Sequence, residues 1–231
     1  MGSGRGSFAP PSRLPVSERN LAGRARLTRL LARERALWRR GLRRIAGVDE
    51  AGLGPLAGPV VASAVIMPPG CGILGVDDSK KLTARQRTAL EAEIRSRAVA
   101  IGIGLAGVEE IARLNIYQAG LLAMRRALDD LAEPPEMVFL DARGLPDLPW
   151  PQEALIRGDA RVHCIACASI VAKVLRDRLM EQYDRLYPGY GFAQHKGYAT
   201  ALHRGAVAAR GPCPIHRRGF RGAGTQPELF A

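Results

Sequence analysis

The chain lacks any apolar stretch near the roughly 18 residues that crossing a bilayer takes. Its best candidate, Pro59 to Met67, is about a strand long and runs into Pro68-Pro69-Gly70. The opening, Met1-Gly2-Ser3-Gly4-Arg5-Gly6, has no hydrophobic secretory segment and carries Gly where a myristoylation motif has Ser or Thr. A cytoplasmic, soluble protein without a membrane partner is therefore expected. Cysteine is sparse: Cys71, Cys164, Cys167 and Cys213 are too few among 231 residues for a disulfide scaffold, and predict a reducing compartment. Cys164-x-x-Cys167 lacks the second pair that a zinc knuckle needs, and reads as two semi-buried thiols at a helix start. No repeat recurs at a period of about 20–50 residues, which excludes solenoids and propellers.

The middle of the chain also lacks positive charge, although the whole carries +12. Residues 1–44 hold twelve Arg against two Glu, for +10; residues 196–231 carry +5; and residues 45–195, with 16 basic and 19 acidic side chains, come to −3. A basic excess of this size points to a polyanionic partner, here drawn by the two ends. With 47% hydrophobic and 24% charged residues, general disorder is excluded. The length suits one principal domain.

Residues 1–24 mix Gly, Ser, Pro and Arg without period and read as a flexible leader. Leu27, Leu30, Leu31, Leu37 and Trp38 then recur at helical spacing among arginines, up to a stop at Gly41. Docking of that stripe on the domain would leave the arginines facing phosphate. Strands are expected at Ile45–Val48, Pro59–Met67, Val99–Leu105 and Met137–Leu140. Helices are expected at Glu109–Leu114, Tyr117–Leu131, Ala166–Tyr183 and Thr200–Arg210. The pattern gives an α/β or α+β layered domain over residues 45–222, preceded by the basic segment 1–44 and followed by a flexible tail, 223–231.

Carboxylates stand where strands end: Asp49 and Glu50 after the first, Asp141 after the Met137–Leu140 run. A buried isolated charge costs several kcal/mol unless it is paired or bound to metal. Mg²⁺ and Mn²⁺ take oxygen ligands, and three or four carboxylates can hold two ions about 3.5–4 Å apart for in-line attack on a phosphodiester. Asp after a strand is also a common turn or cap residue, so the pattern alone leaves both readings open. Glycines 52, 54 and 58 follow directly; they permit close backbone approach to phosphate or hydroxyl oxygens, and equally a tight strand connection.

The segment Gly47-Val48-Asp49-Glu50-Ala51-Gly52-Leu53-Gly54-Pro55-Leu56-Ala57-Gly58-Pro59 closely resembles the signature of the ribonuclease HII family. Asp78-Ser79-Lys80-Lys81-Leu82, Leu140-Asp141, Gly158-Asp159-Ala160-Arg161, Ala168 to Val174 with Arg176-Asp177, Tyr190 to Tyr198, and His216-Arg217-Arg218 with Phe220 resemble it too, in order. The resemblance implies an RNase H-like mixed β-sheet flanked by helices, with a helical C-terminal part. It implies an Mn²⁺- or Mg²⁺-dependent endoribonuclease, using two ions; a monomer is expected. Such an enzyme cuts the RNA strand of RNA/DNA hybrids and incises DNA at embedded ribonucleotides, leaving 3′-hydroxyl and 5′-phosphate ends. The alternative is a catalytically silent hybrid-binding protein.

By the same resemblance, Asp49, Glu50, Asp141 and Asp159 are the catalytic, metal-binding carboxylates. Composition alone left Asp177 equal to Asp159; the family motif makes Asp177 a helix-face ion-pair partner. Gly52, Leu53, Gly54, Lys80 and Tyr198 are implied to meet substrate, with Lys196 as a second phosphate lysine. Leu53 departs from the family's usual Arg, which predicts weaker binding or compensation by arginines elsewhere. The ending Gln226-Pro227-Glu228-Leu229-Phe230-Ala231 resembles a peptide that engages the bacterial sliding clamp, through Gln226, Leu229 and Phe230.

Overall fold

Seven consecutive residues of one strand, Val60–Ile66, are buried on both faces, which requires a layer of helices on each side of the sheet. The computed structural model, which describes residues 16–223, supplies both layers. Strands β1 (Ile45–Ala51), β2 (Val60–Ile66), β3 (Ala100–Ala106), β4 (Met137–Asp141) and β5 (Gln152–Leu155) form one mixed sheet in the order β3-β2-β1-β4-β5. β1 to β3 are antiparallel neighbours, whereas β4 runs parallel to β1, and β5 to β4.

Two helices joined by a short turn, α1 (Val16–Leu30) and α2 (Ala32–Arg39), precede the sheet. α3 (Ala84–Arg97), α4 (Val108–Leu114), α5 (Ile116–Asp129), α6 (His163–Leu186), α7 (Phe192–His195) and α8 (Ala201–Arg210) follow in chain order. The apolar stripe of α5, including Ala119, Ala123 and Ala127, covers one sheet face. α6 covers the other, with Ile170, Val171 and Val174 against Val65 and, from α3, Ile94. A Cβ at Gly47 would lie 2.1 Å from the backbone carbon of Cys164, so β1 meets the start of α6 in direct backbone contact.

The expected strands and helices are present with ends shifted by a few residues. Of the expected leader, residues 16–24 are helical, since α1 begins at Val16, where Leu21 and Ala22 favour helix and a single Gly23 costs only about 1 kcal/mol; residues 1–15 lie outside the described residues. The apolar stripe is divided between α1 and α2. Leu30 and Leu31 are buried, and Leu37 and Trp38 pack over Ile45, Phe139 and Val162. Cys164 and Cys167 are wholly buried near the start of α6, rather than semi-buried: Cys164 packs with Ile45, Phe139 and Leu37, and Cys167 with Val65, Ile94 and Ile170. Among the described residues no helix is long and apolar enough to cross a membrane. Gln226, Leu229 and Phe230 lie outside the described residues.

Candidate active site

The parallel pairing of β1 and β4 sets Val48 opposite Leu140, so the residues that follow, Asp49 and Asp141, emerge side by side. Asp159 arrives from the short turn Gly158–Ala160 ahead of α6. The Gly158 N–H donates to Asp141 Oδ1 at 2.6 Å and holds that turn against β4. As a result Asp49, Asp141 and Asp159 each present a carboxylate oxygen, all within 4.8 Å of one another. Asp49 also accepts the Glu50 N–H at 2.7 Å. Glu50 stands beside this triad with its Oε2 buried and without a hydrogen-bond partner among the described residues.

The cluster resists full ionisation. Burial first, then the charges of Glu50 and Asp141, raise the Asp49 carboxyl well above its ordinary range, against a hydrogen bond from Ser169. Burial and Asp141 push Glu50 up to about 7, opposed mainly by the positive charge of Arg143. Asp159 is raised by burial and by Asp141, with Lys80 opposing. Lys80 itself would be lowered by burial, but Asp49, Asp78, Asp159 and Asp141 outweigh that and raise it. Buried hard-oxygen donors that repel one another fit a divalent cation, whose charge removes the repulsion.

The opposite wall is the connection from β1 to β2. Gly52 has φ +101°, and a Cβ there would lie 2.1 Å from the Arg176 Nε, so both conformation and space demand glycine. The wholly buried Arg217 donates to the carbonyls of Gly52, Leu53, Pro55 and Gly58. Arg176, equally buried, donates to those of Ala57, Pro59 and Lys196. Six of these carbonyls belong to the loop and are satisfied by the two guanidinium groups, which fixes the loop's other side towards a cavity of about 210 Å³. That cavity is lined by Asp49, Glu50, Gly52, Leu53 and Gly54, and by Lys80 and the exposed Tyr198.

These features recur among known proteins. The family model described as Ribonuclease HII matches residues 46–223. The chain belongs to the ribonuclease HII family. The Ribonuclease HII of Syntrophotalea carbinolica is 56% identical over 82% of this chain and 90% of its own length. That of Geobacter sulfurreducens is 56% identical over 80% and 85%. The crystal structure of the ribonuclease H2 from Pyrococcus horikoshii is 26% identical, with a TM-score of 0.66 over 78% of this chain and 95% of that one. The protein is accordingly a ribonuclease H, a metal-dependent endonuclease with an RNase H-like fold.

Of the residues expected from sequence, the fold gathers Asp49, Asp141 and Asp159 into one cluster and sets Glu50, Gly52, Leu53, Gly54, Lys80 and Tyr198 around the cavity beside it. Lys196 is elsewhere: its ammonium is paired with Glu181 at 2.6 Å. Asp177 is bonded to Lys173 at 2.5 Å and Arg87 at 3.3 Å, an ion-pair residue of α6. Sequence reasoning missed Ser169, whose hydroxyl bonds Ser79 at 2.9 Å beneath Asp49, and the loop-holding roles of Arg176 and Arg217. All three stood inside recognisable motif blocks, but residue type does not distinguish a buried arginine from a solvated one.

Proposed function

We propose that this ribonuclease H cuts the RNA strand of RNA/DNA hybrids and incises duplex DNA at embedded ribonucleotides, leaving 3′-hydroxyl and 5′-phosphate ends. The observation that carries the reading is the trio of carboxylates within 4.8 Å beside the glycine-lined cavity. Asp49, Glu50, Asp141 and Asp159 would hold two divalent cations, Mn²⁺ or Mg²⁺. Bound there, such ions supply Lewis-acid activation of water and stabilise the departing oxygen. Water oxygen joins phosphorus, the bond from phosphorus to the 3′-oxygen breaks, and that oxygen takes up a proton.

The chain's own groups do the positioning. Lys80, drawn by the cluster's negative charge, offers its ammonium to a phosphate at the rim. The Gly52–Gly54 turn admits a ribose close to backbone, and Tyr198 lines the same cavity. A 2′-hydroxyl both donates and accepts, and is the group by which such a surface separates RNA from DNA. The enzyme is read as a cytoplasmic monomer, and the sequence Gln226-Pro227-Glu228-Leu229-Phe230 as a tether to a sliding clamp, raising its effective concentration on DNA.

The test is a labelled DNA duplex containing one ribonucleotide, and a continuous hybrid, each with and without Mn²⁺ or Mg²⁺. The wild type cuts both only with metal, and Asp141→Asn lowers the rate at least a hundredfold, about 2.7 kcal/mol. A wild type that binds hybrid but never cuts it defeats the reading.

A further inference from the structure

We propose that Arg143 is a phosphate-binding residue of the cleft, contacting a backbone phosphate of the hybrid beside the one that is cut. The assignment rests on the reading of the cleft as a hybrid-binding nuclease site, and adds to it a contact that charge and geometry supply.

Arg143 lies two residues after Asp141, and the chain makes an unusual turn to bring it back. Ala142 has φ +57°, the left-handed region that a residue with a Cβ rarely adopts, and the Arg143 N–H closes the turn on the Asp141 carbonyl at 2.6 Å. Strain of this kind persists where the surroundings hold it and concentrates at functional sites. The consequence is position. The guanidinium comes over the ring of Tyr117, its central carbon 4.6 Å from the centroid. The ring presents one face to the cation and is itself 46% exposed.

Among the described residues this partly buried guanidinium makes no hydrogen bond or ion pair, in contrast to Arg176 and Arg217, whose donors are taken up by carbonyls. Its ring partner accepts no N–H bond in the guanidinium plane, so a flat fork of donors remains for a ligand with paired oxygens. Its backbone N–H bonds the carbonyl of Asp141, one of the clustered carboxylates, which places Arg143 at the edge of the metal-binding cluster. A phosphate of a long polyanion is drawn towards this position by the basic ends of the chain.

The neighbouring wall carries the complementary observation. Leu53 points its side chain at Gly120 on α5, one helical turn beyond Tyr117, and packs into the core cluster beneath. The loop side of this rim is thus apolar, and Arg143 adds a cation beside it. The arginine replaces locally the charge that Leu53 cannot offer.

The test compares wild type, Arg143→Ala, Arg143→Lys and Tyr117→Ala, with steady-state cleavage of a continuous hybrid in Mn²⁺ at several NaCl concentrations. For Arg143→Ala the expected result is a KM raised about tenfold with kcat within twofold. The slope of log(kcat/KM) against log[NaCl] should become shallower by about 0.7–0.9, the signature of one phosphate contact. Arg143→Lys keeps that slope with a smaller rise in KM, since a lysine carries the charge but neither the fork nor the stacking. Tyr117→Ala raises KM in the same direction. Unchanged KM and slope in Arg143→Ala, with the wild type cutting normally, overturn the assignment alone. A fall in kcat at unaltered KM and slope also overturns it, and makes Arg143 a neutraliser of Glu50 instead. Wild type that cuts no hybrid overturns the functional reading and the assignment together.

Discussion

Glu50 is the residue at which folding and catalysis oppose each other most directly. Its folded carboxyl titrates at about 7 rather than 4.5, so the folded chain holds a proton that the unfolded chain releases. A raised folded pKa means stability that is complete below the unfolded value and lost as pH rises towards the folded one. The metal-free protein is therefore expected to weaken between pH 4.5 and about 7, by on the order of 3 kcal/mol at most. Thermal melts in EDTA across that window should show the decline, and added Mn²⁺ should flatten it. At pH 7, Glu50→Gln should raise the EDTA melting temperature by several degrees while abolishing the gain from metal, and a lower melting temperature would refute the account. The carboxylates were legible as strand-end acids, but their mutual distance was not. Composition rated Asp177 equal to Asp159; only the turn at Gly158, pinned by Asp141, separates them in space. Arg176 and Arg217 were invisible as loop anchors because their partners are carbonyls, which every residue has.

Elements carry the site because the contact between β1 and α6 is made without side chains. Gly47 leaves the strand backbone against Cys164, and α6 in turn brings Ser169 under Asp49 while the turn leading into it contains Asp159. Gly47→Ala would place a methyl 2.1 Å from backbone atoms that cannot step aside as a flexible side chain would. Overpacking of this kind costs about 1–3 kcal/mol or more. Denaturant melts should show that loss, and cleavage should fall by at least tenfold, since the shift moves Ser169, beneath Asp49, and the turn that carries Asp159. Retained stability and activity together would show that α6 is not held in register by this contact. The elements with strong apolar period were readable from sequence: β2, β4, α5 and α6 all lie where periodicity put them. β5 and α3 were not, for the same reason at two scales of length. β5 is four residues at the sheet edge, two of them polar and only Leu155 buried, and α3 buries only Leu90, Glu91 and Ile94, leaving its Thr83–Gln86 capping box as its clearest mark.

At the scale of the whole molecule, the basic N-terminal segment is at once a charged arm and a structural part of the domain. Leu30 and Leu31 are buried, and Glu34, also buried, accepts the His163 N–H at 3.1 Å. α6 has no side-chain cap of its own, so this carboxylate from α2 satisfies the helix start from outside. Arg26 and Arg33 are paired with Asp77 and Glu153. Arg24, Arg29, Arg35, Arg39 and Arg40 are exposed and remain for a polyanion. Two changes should then separate what the total charge of +12 combines. Changing those five arginines to Gln should leave the melting temperature within a few degrees and make the salt dependence of hybrid binding shallower, by about 0.7–0.9 for each phosphate that is no longer neutralised. Deleting residues 1–44 should instead lower the melting temperature steeply. Burial of Leu30 and Leu31 alone contributes about 1.5–3 kcal/mol each, and the start of α6 would lose its cap beside Asp159. The deletion is therefore expected to lose kcat as well as affinity, whereas the five-arginine variant loses affinity alone. Equal kcat in the two variants would show that the arm serves the enzyme only through its charge, and that the sheet and α6 hold the carboxylates without it.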